Sequence, residues 1–237
     1  MSKIVFDASD KRLYFTGVNH CALFLKKSDG SYDNGVAWDG ISNATVTPDG
    51  GDANDIYADN IKYLSIPGAV NINASITAYN YPKEFNACLG LGAKTDAAGL
   101  LFAQQARTKF GIVYKSKIGS AENEDYGYVL NILYNCLAAP SELSSDTVNE
   151  SPEAGEFSFD ISTVAVPESE MPAGLKPTSW VRIECKPGEL LTAQGEPSTK
   201  LQTLLDTLYG KDAEGQSEAS DPTLITPLAI YNILKTV

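Results

Sequence analysis

Twofold alternation governs this chain. From Ala69 to Ala78, Val70, Ile72, Ala74 and Ile76 point one way, and Asn71, Asn73, Ser75 and Thr77 point the other. Side chains change face at every residue only along an extended strand, so this pattern marks a strand with one buried face. Phe110 to Ile118 repeats it, with Phe110, Ile112 and Tyr114 on one side and Lys109, Val113, Lys115 and Lys117 on the other. Gly155 to Val166 holds Phe157, Phe159, Ile161 and Thr163 in register. Ser179 to Cys185 sets Val181, Ile183 and Cys185 against Trp180, Arg182 and Glu184. In Tyr126 to Ala138 both alternating sets carry apolar residues: Tyr128, Leu130, Ile132, Tyr134 and Cys136 on one face, Val129, Leu133 and Leu137 on the other. That predicts a central strand covered on both sides. Leu13 to Leu25 reads as a weaker strand or strand pair. A chain written this way folds mainly as β-structure.

Two segments break the twofold rule. Pro82 to Leu89 reads as a short helix, with Pro82 in its first turn and Gly90 at its end. In Ser198 to Tyr209, Leu201, Leu204, Leu205 and Leu208 recur at helical spacing, with Ser198 placed to cap the start and Gly210 to end the helix. Residues 26–60 are poor in apolar side chains and rich in Asp, Asn and Gly, and read as one long exposed loop. Residues 211–223 have linker composition and lead to an apolar end, Leu224 to Leu234, which predicts an arm that docks on its own domain or on a neighbour.

Charge and chemistry exclude much. The chain has 30 acids against 18 bases, a formal net charge of −12. Gripping DNA requires clusters of Lys and Arg, so this balance argues against a nucleic-acid binder, though not against a surface past which DNA slides. His20 is the one histidine, and Cys21, Cys88, Cys136 and Cys185 are too scattered for a zinc pattern; they read as buried thiols. The acidic run Asp49-Gly50-Gly51-Asp52-Ala53-Asn54-Asp55 lacks the spacing of a calcium loop. Gly90-Leu91-Gly92 is too short for a dinucleotide fingerprint, and Gly210-Lys211 is not a phosphate loop. The residues therefore point to no catalytic, metal or cofactor site. Tyr79, Tyr81, Tyr126, Tyr128 and Tyr134 leave room for a stacking surface, but no basic residues interleave with them. The N-terminus has no long apolar stretch, and no segment approaches the roughly 18 apolar residues of a membrane span. Synthesis in a cytoplasm, with reduced thiols, is the expectation.

Several blocks carry a family resemblance: Gly35-Val36-Ala37-Trp38-Asp39-Gly40, Tyr57-Ala58-Asp59-Asn60-Ile61-Lys62-Tyr63, Tyr79-Asn80-Tyr81-Pro82-Lys83-Glu84-Phe85 and Gly111-Ile112-Val113-Tyr114-Lys115-Ser116-Lys117-Ile118-Gly119. Asp125-Tyr126-Gly127-Tyr128, Tyr134-Asn135-Cys136, Ala139-Pro140-Ser141-Glu142 and Thr147-Val148-Asn149-Glu150-Ser151-Pro152-Glu153 continue the series, which thins from about residue 185. In this order the blocks resemble the major tail protein, or tail tube subunit, of long-tailed non-contractile phages of Gram-positive bacteria. The resemblance implies one tail-tube domain over residues 1–237. Its expected form is two packed antiparallel sheets, sandwich or barrel-like, with a flanking helix. It further implies hexameric rings stacked into a tube through which the genome leaves, in a virion tail assembled from protein made in the host cytoplasm. The implied partners are further copies of the chain, tape-measure, tail terminator and distal tail proteins, and double-stranded DNA passing without specific binding.

On that reading the loop 26–60 and the arm 211–237 reach neighbouring subunits, as do the N-terminal residues. Trp38, Asp49, Asp52, Asp55, Tyr57 and Asp59 are the expected contact residues. The competing reading is a β-sandwich module that binds carbohydrate or a cell-surface receptor within a virion or secreted assembly; it requires a tyrosine-lined pocket.

Overall fold

The computed structural model describes residues 12–93, 99–142, 147, 154–213 and 219–235. The N-terminal residues 1–11 and almost all of the block Thr147 to Glu153 lie outside them, as does part of the linker after Lys211.

Twelve strands and two α-helices are described. In chain order they are β1 (Leu13–Leu25), β2 (Val36–Trp38), β3 (Ile41–Gly50), β4 (Ala53–Ala58), β5 (Ile61–Pro67), β6 (Val70–Ala78), β7 (Gly92–Ala93), β8 (Leu101–Phe102), β9 (Phe110–Ser120), β10 (Gly127–Ala138), β11 (Phe157–Ser162), β12 (Trp180–Cys185), α1 (Thr199–Tyr209) and α2 (Pro227–Leu234). Every pairing between these strands is antiparallel. One sheet runs β2-β1-β9-β10, with β12 on the free side of β10; the last residues of β10 then pair with β11 and lead into a second sheet, β11-β6-β3. The order ends at β2 and at β3, so the sheets stay open and form a sandwich, not a closed barrel.

The chain stacks three layers around two cores. Between the sheets lie Leu23, Trp38, Ile76, Phe85, Phe110, Ile112, Leu133, Cys136 and Phe159. The Phe85 ring sits at the middle of this core, with ring centres 4.5 Å from Trp38, 5.0 Å from Phe159 and 5.4 Å from Phe110. Such tilted and edge-on contacts add to area burial. On the other side of the first sheet, Phe24, Val113, Leu130, Ile132 and Tyr134 meet Leu201, Leu204, Leu208, Leu224 and Ile230. The alternating pattern of Tyr126 to Ala138 is thereby explained: β10 is buried on both faces.

Strict alternation fails at several bulges, and the two that reassign core residues have a backbone cause. His20 and Asn135 adopt positive φ, +48° and +49°, inside bulges of β1 and β10. A bulge inserts one extra residue and moves every later side chain to the opposite face. Tyr134 therefore points to the helical core and Cys136 to the inter-sheet core, although the twofold pattern puts them together.

The expected loop at 26–60 is mostly strand, since β2, β3 and β4 all fall inside it. Its polarity has a different origin. The outward faces of β3 are polar, and the inward positions hold small or partly covered residues, Ile41, Ala44 and Val46, whose signal is weak. The helix expected at Pro82 to Leu89 is a 3-10 helix, Lys83–Ala87, preceded by Pro82. Helix α1 matches its expected bounds: the Ser198 hydroxyl accepts from the Leu201 amide, and Gly210 leaves at φ +80°.

The C-terminal arm docks on its own chain. Leu224 and Ile230 are buried in the helical core, and α2 packs on α1, capped by Thr226. A glycine makes room for it. A Cβ on Gly111 of β9 would lie 2.2 Å from Leu224 Cδ2.

Candidate assembly surface

Strand β3 ends at Gly50 opposite Val70 of β6, and the chain between them forms a separate hairpin, β4–β5. Gly50 and Gly51, at φ +82° and +85°, turn the backbone at its base in a conformation that side chains resist. Cross-bonds close that base: the Gly51 amide donates to the Ala69 carbonyl and the Gly68 amide to the Asp52 carbonyl, at 3.1 and 3.0 Å. At the tip, Asp59 and Asn60 both take positive φ, +51° and +61°. A two-residue turn with both residues left-handed matches the twist of a hairpin, and Asp and Asn tolerate it best after glycine.

Every residue of β4 and β5 is exposed. The register Asp55↔Ser65, Ile56↔Leu64 and Asn54↔Ile66 sorts the side chains. One face carries Asp55, Lys62 and Ser65, tied together by the Lys62–Asp55 ion pair at 2.8 Å and the Ser65 hydroxyl donating to Asp55 at 2.5 Å. These partners hold the Asp55 carboxyl below the usual carboxylate pKa, the Lys62 contact contributing most. The other face carries Ile56, Leu64 and Ile66, with Ile61 near the tip. Tyr57, Ile61 and Tyr63 are 67%, 64% and 69% exposed.

A second surface lies beside it. The outward positions of β11-β6-β3 form cross-strand rows: Asn43, Thr77 and Ser158; Thr45, Ser75 and Asp160; Thr47, Asn73 and Ser162; and Asp49 with Asn71. The face is small and polar, with two carboxylates and no base. Among the described strands, the outer strand β3 has β6 as its only hydrogen-bonded neighbour and so offers an open edge there. Pro48 in that strand fits an edge position, where a missing amide proton costs no ladder bond.

The expected contact residues separate on these surfaces. Asp55, Tyr57 and Asp59 sit on the hairpin and Asp52 at its base, while Asp49 lies on the polar face, where its carboxylate accepts from the Asn73 amide at 3.3 Å. Trp38 does not belong with them. It is 2% exposed, packs on Phe85, and donates its indole N–H to the Asn80 carbonyl at 2.9 Å. A large apolar ring beside an acidic loop looked like a contact; it is the inter-sheet core's anchor for β2. The apolar residues Ile56, Ile61, Tyr63, Leu64 and Ile66 were missed as a group. The signal for them was present: a turn pair, Asp59-Asn60, between two short runs of strand-forming residues.

No group of three His, Cys, Asp or Glu stands close enough to hold a metal among the described residues, and no described helix is long and apolar enough to cross a membrane. All four cysteines are free and buried. Burial raises the thiols of Cys21 and Cys136 far above their ordinary range and those of Cys88 and Cys185 to about 12. The tyrosines weighed as a stacking surface are dispersed. Tyr81 packs on Phe85, Phe157 and Phe159, Tyr134 and Tyr128 line different clefts, and Tyr79 stands exposed.

No protein-family model matches the sequence, and no curated protein matches it. Among solved structures, the chain is similar to one from the SPP1 tail tube, at 12% identity over 88% of this chain and 96% of that chain, with a TM-score of 0.34. It is also similar to one from the anti-feeding prophage baseplate, at 9% identity over 77% of this chain and 97% of that chain, with a TM-score of 0.36. Both scores fall below the level at which two chains share a fold.

Proposed function

We propose that this chain is a structural subunit that assembles with copies of itself. On the sequence resemblance, the assembly is a tube of stacked hexameric rings in a phage tail, serving as the conduit for genome ejection. The observation that carries the self-assembly is the β4–β5 hairpin, exposed along its whole length with an apolar face. A lone two-stranded hairpin is marginal in water, and an exposed apolar strand pair invites further pairing. A closed ring of copies removes both problems, because each hairpin is covered by a neighbour and no copy is left with a free edge.

The small polar face of β11-β6-β3 is the surface we assign to the conduit. Passing DNA must meet no ammonium or guanidinium group that would hold its phosphates. Asp49 and Asp160 are the only charges in its rows, so hydrated hydroxyls and amides supply most of the lining. Tape-measure, terminator and distal tail proteins would meet the tube inside and at its ends.

Excising residues 52–68 tests the hairpin. Gly50 and Val70 are already paired, so joining Gly51 to Ala69 leaves a two-residue turn with glycine first, a connection that hairpins accept. The shortened chain is expected to fold and stay monomeric in sedimentation velocity. Tubes of normal width from it would remove the hairpin from the assembly.

A further inference from the structure

Lys26 follows β1 and faces Tyr32 across a tight turn, bridged to it backbone to backbone. Both side chains reach the same atom. Lys26 Nζ donates to Asn135 Oδ1, and the Tyr32 hydroxyl donates to the same oxygen at 3.3 Å. The Asn135 amide proton of the backbone in turn goes to the Tyr32 oxygen at 3.0 Å, which leaves the hydroxyl proton for Oδ1. At the other end of the carboxamide, Nδ2 donates to the Val164 carbonyl at 3.1 Å. Two donors on one end and a carbonyl on the other fix which end of the amide faces the lysine. Asn135 itself is buried and held in the β10 bulge.

Among the described residues Lys26 makes no ion pair within 4.0 Å. Its ammonium instead lies 5.6 Å from the Tyr32 ring centre. The pair opens on a cleft of about 650 Å³, lined also by Tyr134, Val166 and a carboxylate, Glu170. A lysine against a buried carboxamide, beside aromatic rings and an acid, is more than surface hydrogen bonding requires. An amine, a carboxamide, a hydroxyl that donates to the carboxamide oxygen and a carboxylate all line one cleft.

We propose that Lys26 and Asn135 condense into an intramolecular isopeptide bond, with Glu170 moving the protons and ammonia as the leaving group. The Glu170 carboxylate takes a proton from the Lys26 ammonium. The freed Nζ adds to Asn135 Cγ, and Oδ1 carries the negative charge against the Tyr32 hydroxyl. Glu170 gives its proton to Nδ2 and takes one from the attacking Nζ. The Cγ–Nδ2 bond breaks, the Cγ–Nζ amide is complete, and ammonia leaves through the cleft with the last proton. Nothing is oxidised or reduced. The product ties the end of the first strand to the central strand, 109 residues apart in sequence. A cross-link of that span shrinks the unfolded ensemble and stiffens the subunit against pulling. It does not depend on assembly, since a monomer would form it too.

The test is a peptide map of the folded full-length chain, digested after denaturation and read by tandem mass spectrometry. The expected product is a branched peptide in which the segment holding Lys26 is joined to the segment holding Asn135, lighter by one ammonia. Intact mass alone is not used, because a succinimide at Asn34-Gly35 loses the same group. Lys26→Arg keeps the cation but removes the nucleophile, and Glu170→Gln removes the proton carrier while keeping the shape. Both are expected to give linear peptides and to melt several degrees lower. A wild-type digest with only linear, unmodified Lys26 and Asn135 peptides overturns the bond. A branched peptide in the Glu170→Gln protein overturns the part given to Glu170.

Discussion

At the scale of single residues, burial decides what is inert and exposure decides what is available. The four thiols sit in apolar surroundings that hold their protons well above the ordinary thiol range. They are expected to stay silent toward a disulfide reagent in the folded protein at pH 8 and to react together once it is unfolded; fast reaction of any one in the native state would contradict its placement. Asp55 is the opposite case, an exposed carboxyl lowered by Lys62 and Ser65. A group whose folded pKa is depressed adds stability above its unfolded pKa and loses it as the pH falls through the folded value. Acidification below the ordinary carboxylate range is therefore expected to break the Asp55–Lys62 pair. In an NMR titration Asp55 should titrate below the ordinary aspartate range, and Lys62→Ala should move it back toward that range. Lying on the surface, this pair orders one face of the hairpin more than it stabilises the fold.

At the scale of elements, the long alternating strands were legible because they place large apolar side chains on a buried face. The strands read at Ala69 to Ala78, Phe110 to Ile118 and Ser179 to Cys185 appear as β6, β9 and β12, each within two residues of those bounds. The Leu201-Leu204-Leu205-Leu208 stripe was equally legible. Each leucine adds about 1.5–3 kcal/mol of burial, and Leu204→Ala is expected to cost about 2–5 kcal/mol in denaturant unfolding. Strand β3 was hidden because its outward side chains are Asn, Thr and Asp, the composition of a loop. The bulges at His20 and Asn135 were hidden because a positive φ at a non-glycine residue leaves no periodic trace. The docking of α2 was hidden too. Its partner is the absence of a side chain at Gly111, and that absence becomes meaningful only when Leu224 lies over it. Gly111→Ala is accordingly expected to cost about 1–3 kcal/mol by overpacking and to speed amide exchange in α2 before the rest of the chain. Unchanged exchange there would contradict the contact. On the exposed hairpin, the acids and Tyr57 stand out from composition. The apolar face of the hairpin does not, because its register depends on the Asp59-Asn60 turn and on a bulge between Ile56 and Tyr57.

At the scale of the whole molecule, the described residues form a three-layer body carrying an uncovered β-arm and a small polar sheet face with an open edge. The cross-bonds at Gly51–Ala69 and Gly68–Asp52 hold the base of the arm to the sheet, and a repeating assembly needs every copy to meet the next in the same way. Replacing Ile56 and Leu64 together by Ser touches only exposed side chains. The melting temperature should stay close to that of the parent, since surface changes stay within about 0.5 kcal/mol, while self-association is lost. The most direct measurement of the central claim is electron microscopy of the purified chain, concentrated and negatively stained. Sixfold rings, stacked into tubes of uniform width, are expected. A chain that remains a monomer at every concentration, confirmed by sedimentation equilibrium, would contradict self-assembly and return the exposed hairpin to a partner of another kind.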